Sequence, residues 1–338
     1  MNEYLKYKNM FTRFAIIILI IGSLGIYDIK NRSYTGFQTD ENNSVTKVDP
    51  SSPAEKAQFQ IGDKIKNISG VDVSNTSALL KFSRLKAGEI RSYKLERNNI
   101  NFNIMLVAES LPIKEVLRLI MLSIIGFTFL GVGLFSFLNF NNKFTLLFAL
   151  VSFSAAVDFI IHPYIESYSI RLAYQIILNI IAFCGYAFLL HFTLEFPKQK
   201  QMLKKKLSLI LVYEPVMLLS VIFIAIAVLQ PERTHWLFTA AAVLYSLFFI
   251  SYLGASIIAI IHSYMKATRV ERSQSRLKLI LFGLIAGLVP SIIAGIFNYL
   301  LPSNLLFGAE FYLSTVILIP VSFAIAFSKM KNGTLPIT

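Results

Sequence analysis

Eight apolar stretches, each near the length of a bilayer crossing, dominate this chain: residues 11–27, 116–138, 144–162, 172–196, 207–229, 236–264, 279–300 and 311–327. A helix rises about 1.5 Å per residue, so roughly 20 apolar residues cross about 30 Å of hydrocarbon. Backbone groups in hydrocarbon must be bonded within their own segment, which makes helices the reading for runs of this kind. Charged residues are only 15% of the 338, against about a quarter in soluble domains. A polytopic α-helical membrane protein of eight spans is the fold class these runs predict.

The formal charge is +13. In a soluble protein that would raise the question of nucleic acid. Here the cations sit between apolar runs, where they set orientation instead, and no nucleic-acid partner is expected. With the N-terminus inside, the cytoplasmic connections carry Lys143, then Lys198, Lys200, Lys204, Lys205 and Lys206. They continue with Lys266, Arg269, Arg272, Arg276 and Lys278, and end with Lys329 and Lys331, while the short outer loops carry Arg171 and Arg233. Lys30, Arg32, Lys114 and Arg118 flank residues 29–110 on the outer side, but long domains translocate largely regardless of charge. Both termini are expected in the cytoplasm. The first span follows Lys6 and Lys8 without an Ala-x-Ala site, so an uncleaved anchor is expected. Cys184, the single cysteine, lies in an apolar run and reads as packing.

The chain therefore divides into residues 1–28 (tail and anchor), 29–110 (a water-soluble module outside the cell), 111–328 (seven spans) and 329–338 (a cytoplasmic tail). Within the module, residues 44–49 read as a strand and 53–59 as a helix with Pro53 in its first turn. Residues 64–68 alternate apolar and polar, and Gly70 marks a turn. Residues 76–85 read as a helix offering Leu79, Leu80 and Phe82 for packing. Residues 90–97 and 102–107 alternate again across the Asn98-Asn99 turn. That is a small α+β domain near the lower size limit for an independent core.

Val45, Val48, Ser52-Pro53-Ala54, Ala57, Ile61-Gly62-Asp63, Ile65, Ile68 and Gly70 together resemble a PDZ domain of the bacterial type. Gln58 stands where that family usually has Gly, and a non-Gly residue in a left-handed position costs roughly 1 kcal/mol. Tyr34-Thr35-Gly36-Phe37 is similar, in place and residue type, to the family's carboxylate-binding loop. In such a loop, backbone N–H groups capture a peptide carboxylate while the peptide adds a strand to the sheet edge. The same string also reads as a plain turn leading into a strand, and both readings stand.

The string Leu189-Leu190-His191-Phe192-Thr193-Leu194-Glu195-Phe196-Pro197 closes the fourth span. It resembles the Leu-His-Phe-x-x-x-Phe-Pro motif of multi-span sensor regions in bacterial histidine kinases. Gln274-Ser275-Arg276-Leu277-Lys278, running into Gly283 and Pro290, is similar to the opening of a late pair of spans there. An anchor span, an outer PDZ-like module and further spans look like the competence-pheromone receptor kinases of two-component quorum-sensing systems. The resemblance implies a receptor for an extracellular peptide, including a lipidated pheromone, or for a protein C-terminus. It implies a homodimer in the cell membrane that signals to a cytoplasmic kinase domain or partner. After Phe327 the sequence shows no phosphoacceptor-His region and no ATP-binding boxes, so the kinase is expected in a continuation or a separate protein.

Ionisable groups within spans are functional candidates by default, since charge in hydrocarbon is costly without a partner. Glu214 precedes Pro215 in the fifth span. Asp158 and His162 lie one turn apart at an outer end, and His191 and Glu195 repeat the spacing at an inner end. Asn179 and Asn298 offer interhelical hydrogen bonds. Each acid–His pair reads either as a functional pair or as an interfacial pair reaching headgroups. Two ligands per end fall short of a metal site, and no cofactor is expected. His-Glu-x-x-His, Gly-x-Ser-x-Gly and Gly-rich phosphate loops do not occur. A membrane sensor is the leading expectation, and a PDZ-bearing adaptor or scaffold recruiting envelope proteins is the alternative.

Overall fold

In the computed structural model, the described residues are 7–40, 42–74, 78, 84–140, 142–204, 206–229, 236–300 and 314–329. They form a helix-rich protein with a small mixed α+β region. The bundle contains α1 (Lys8–Asp28), α3 (Ile113–Phe140), α4 (Lys143–Phe159), α5 (Tyr168–Glu195), α6 (Lys206–Leu229) and α7 (Trp236–Lys266). A short α8 (Arg269–Gln274) then leads to α9 (Leu277–Leu300) and α10 (Leu318–Lys329). One-turn helix α2 (Pro53–Lys56) belongs to the module.

Five helices among the described residues, rather than eight, are long and apolar enough to cross a membrane: α1, α3, α5, α6 and α7. The third candidate run shortens because α4 has 17 residues and stops at Phe159, with Ile160 extended. At about 1.5 Å per residue it reaches only about 25 Å. Pro163 follows closely, and a residue before proline is disfavoured in the helical region. The seventh run contributes the apolar stretch Leu277–Pro290, and the eighth contributes Thr315–Lys329. Residues 311–313 of that eighth run lie outside the described residues.

Helix α4 is the hub, packing between α3 and α5 with buried side chains on every side, among them Phe148, Val151, Phe153 and Ala156. An all-round apolar helix is the kind a bundle interior takes. Its N-terminus is fixed by a reciprocal cap between Asn142 and Thr145. Phe148 stacks on Phe323 of α10 at 4.6 Å between centroids, and Phe144 meets Phe196 edge-on. A second core joins α5, α6 and α7 through Phe183, Val216 and Phe248. Outward faces expose Ile16 and Ile20, Leu211 and Leu218, Leu247 and Ile258, a surface suited to hydrocarbon rather than water.

In the module, β4 (Lys64–Ile68) and β6 (Ile90–Arg97) are central in an antiparallel sheet of order β5-β4-β6-β7, with β5 at Val71–Asp72 and β7 at Ile100–Val107. Asn98 and Asn99, both at positive φ, make the β6–β7 turn, as Asn tolerates that region better than most residues. β2 (Phe37–Thr39) pairs with β3 (Val45–Val48), and β1 (Ser33–Tyr34) pairs with β8 (Glu109–Ser110). Phe37, Phe59 and Tyr93 form an aromatic triad within the core of Val45, Ala54, Ile65, Leu95 and Leu106. The expected helix over 53–59 is a single turn: Ser52 caps it, Pro53 opens it, and Gln58 at φ +65 ends it. Leu79, Leu80 and Phe82, expected on a helix over 76–85, lie outside the described residues.

Candidate functional site

Tyr34, Thr35, Gly36 and Phe37 run from β1 into β2, and the first three are hydrogen-bonded to the corner that leads into α2. The Tyr34 hydroxyl donates to Asp49 at 2.5 Å. Ala54 N–H donates to the Thr35 carbonyl, and Asp49 N–H and the Ser52 hydroxyl donate to the Gly36 carbonyl. Burial and the Asp49 carboxylate push the Tyr34 phenol well up, while Lys47 and Tyr34 hold Asp49 below the usual carboxylate range. Gly36 has φ +81, and a Cβ there would run into the Ser52 side chain. Glycine is therefore demanded here by packing as well as by φ. Gly36→Glu would collapse this corner whether or not it binds a ligand.

One part of the loop stays available. Phe37 faces Val48 across the ladder, and Asp49 N–H bonds to the Gly36 carbonyl. In an antiparallel ladder this register turns the Phe37 N–H and C=O toward the opposite edge of β2. That edge carries no strand among the described residues.

A second site, missed in the sequence, lies where the module meets the bundle. Asp28 at the end of α1 accepts from Arg84 of the module at 2.6 Å and from the Tyr164 N–H at 3.2 Å. The Tyr164 hydroxyl receives the Arg84 N–H at 2.8 Å and the Arg171 guanidinium at 2.6 Å. Arg32 donates to the His162 carbonyl at 3.0 Å, but its Nε is buried with no hydrogen-bond partner among the described residues. Arg32, Arg84, Arg171, His162, Tyr164 and Tyr174 line an open cleft of about 470 Å³. Gly25 permits this meeting, because any Cβ there would strike the Ile161 carbonyl. Arg32 and Arg171 are exceptions to the loop-charge pattern, and that exception is the signal pointing here. Arg84 carries no such mark.

The expected Asp158–His162 pair does not form. With α4 ended at Phe159, the one-turn spacing is lost. His162 Nε2 instead donates to the Val157 carbonyl at 2.8 Å, leaving Nδ1 to accept from Tyr174 Oη at 2.6 Å. Asp158 is exposed. His191 and Glu195 do stay together, at 3.9 Å between Nε2 and Oε2. Tyr213 Oη lies 2.8 Å from His191 Nδ1, and Lys143 reaches Glu195 Oε1 at 2.7 Å. Glu195 is buried, and its Oε2 has no hydrogen-bond partner among the described residues. Glu214 is exposed on α6, one residue ahead of Pro215 inside the helix. Asn179 donates to the Gln175 carbonyl of its own helix, with no interhelical hydrogen bond among the described residues. The Asn298 side chain lies outside the described residues.

Helix α5 connects the two clusters. It carries Arg171 and Tyr174 in its first turns and His191 and Glu195 in its last. Its 28 residues span about 42 Å at 1.5 Å per residue. No protein-family model matches the chain, and no curated protein matches it significantly.

Proposed function

We propose that this chain is a membrane sensor: a PDZ-like module outside the cell captures a peptide-type signal, and the spans relay it to a cytoplasmic histidine kinase of a two-component system. In this reading α4, α9 and α10 complete eight crossings, both termini are cytoplasmic, and the signal is of the quorum-sensing pheromone class. The observation that carries the reading is that one continuous helix, α5, reaches both clusters. One end of it is bonded to the module through Tyr164 and Arg84, and the other holds the Tyr213–His191–Glu195–Lys143 cluster. A ligand carboxylate entering the cleft would meet Arg32 and Arg171, and guanidinium–carboxylate pairs are charge-assisted and can be bidentate. Ligand binding that favours one packing of α5 would shift the far cluster with it.

A second reading, an adaptor that recruits envelope proteins by their C-termini, is supported by the open edge of β2. One experiment separates the two. Fluorescent peptides with free or amidated C-termini are titrated onto the full chain in nanodiscs, with hydrogen exchange read alongside. The sensor reading expects free-carboxylate peptides to bind, and Arg32→Gln with Arg171→Gln to weaken binding about tenfold or more. It also expects exchange to change near His191 and Glu195. Binding that leaves exchange there untouched makes the chain an adaptor, and failure of every free-carboxylate peptide to bind removes both readings.

A further inference from the structure

At the end of the bundle away from the module, α8 lies across the mouth between α7, α9 and α10. An open cleft of about 540 Å³ forms there, lined by Arg269, Arg272, Arg276, Lys278 and Lys329. That volume falls within the range of about 300–1,000 Å³ typical of small-ligand pockets. Among the described residues, no carboxylate lines it. The nearest acid along the chain, Glu271, is engaged elsewhere, capping α8 at Thr268 and pairing with Lys198 at 2.7 Å.

The cations are arranged rather than scattered. Arg272 is pinned by donation to the Ala267 and Met265 carbonyls and lies 4.5 Å over the Tyr264 ring. Arg276 is held at φ +51, a left-handed turn costing on the order of 1 kcal/mol for a non-glycine residue. That turn sets α8 against the start of α9. Lys329 arrives from the last turn of α10, more than fifty residues away in the chain. Among the described residues, Arg269, Arg276, Lys278 and Lys329 form no ion pair. Orientation of spans needs cations near the helix ends but no convergence on one cleft.

The walls supply the second half of an amphiphile's needs. Leu279 and Phe282 flank the cations, and Phe282 is 60% exposed. Ile285 and Ile293 are also exposed further along α9, and spacings of three and eleven residues keep them on the face of Phe282. An apolar stripe thus runs from the cleft along the outer side of α9.

We propose that this cleft is a binding site for the phosphate headgroup of an anionic lipid, whose acyl chain lies along Phe282, Ile285 and Ile293. Basic pockets between helix ends suit such headgroups by charge and position. A free phosphate shares the headgroup chemistry but leaves the apolar stripe unused. The inference requires the helices to lie in a bilayer and does not require the chain to be a sensor.

The test is native mass spectrometry of the full chain, released from nanodiscs containing phosphatidylglycerol and phosphatidylcholine. Phosphatidylglycerol should remain bound preferentially. The triple variant Arg269→Gln, Arg276→Gln, Lys329→Gln should hold it roughly a hundredfold more weakly, since each basic group near an anionic surface is worth on the order of a factor of five. A variant losing three module cations, Lys64→Gln, Lys86→Gln and Lys94→Gln, should bind it as the parent does. Phe282→Ser should weaken lipid retention without changing the binding of inorganic phosphate, which is titrated separately by calorimetry. Equal retention of both lipids overturns the proposal, as does equal loss in the two triple variants. Inorganic phosphate binding as tightly as the lipid, with Phe282→Ser without effect, overturns the lipid assignment.

Discussion

The two ends of the bundle use arginine in opposite ways. At the module end the guanidinium groups are committed: Arg84 to Asp28, Arg171 to Tyr164, Arg32 to the His162 carbonyl. At the far end Arg269, Arg276, Lys278 and Lys329 converge on a cleft that no carboxylate lines among the described residues. A committed cation joins elements and makes their separation costly, because the groups it bonds, the Asp28 carboxylate above all, would be left unsatisfied. An uncommitted one contributes little to the fold and remains free for a ligand. The same residue types are therefore bonded across elements at one end, around a cleft that Arg32 and Arg171 still line, and left without ion-pair partners among the described residues at the other.

The largest effect that would test the contrast lies within the module. Asp63 is fully buried and receives both the Nε and Nη2 of Arg97, at 2.6 and 2.8 Å. Asp63→Ala should cost about 3–5 kcal/mol of module stability, read as faster hydrogen exchange across β4, β6 and β7 in the full chain. Protection that persists there would mean that such pairs do not hold the module. Next is Arg84→Ala, which should loosen the junction by about 2–3 kcal/mol. Exchange should rise over 160–171 while the 263–282 region stays as it was. If both regions loosen together, the ends are not separate.

Acid should act on the module in the same direction. Burial raises the Asp63 carboxyl, but the Arg97 side chain and the Gln60 N–H together outweigh it and leave the group below its ordinary value. A depressed carboxyl contributes stability above its unfolded pKa of about 3.9 and loses it as pH falls through the folded value. Module protection should hold at pH 5 and decline below about pH 4. Stability flat to pH 2 would contradict the pair's role. At the far end, Arg269→Gln should change thermal stability by no more than about 0.5 kcal/mol. A larger loss in lipid-free detergent would show that this cation is committed after all. Lastly, Gln58→Gly should stabilise the module by a few tenths to about 1 kcal/mol, because Gln58 sits at φ +65. The guanidinium bond from Arg97 goes to its backbone carbonyl and survives the change.

Much of this architecture is legible locally. The alternation over 90–97 and 100–107, the Asn98-Asn99 turn and the Ser52-Pro53 helix start each depend on neighbours in sequence. Gln58 does not declare its left-handed backbone by residue type; that expectation comes only from the glycine usual at this place in the domain type the sequence resembles. The run ending at His162 misleads because hydropathy does not register where a helix stops. Ile160 and Ile161 are as apolar as the helix before them, yet Ile160 is extended. With that ending went the Asp158–His162 pair. Glu214, marked out by charge in an apolar run, reaches no described partner.

Apolar run length and strand periodicity, read from the sequence by themselves, establish that this chain builds membrane-length helices and one small α+β module. Those properties follow from bonding each backbone group within its own segment and from side chains alternating across a strand. Only the tertiary structure decided that α4 is the hub, that Asp28 receives Arg84 and Tyr164, and that four uncommitted cations meet at one cleft. Asp28 and Tyr164 are 136 residues apart, and Arg32 and His162 are 130 apart. Contacts over such separations depend on how whole helices pack, and no local pattern of residue types encodes them.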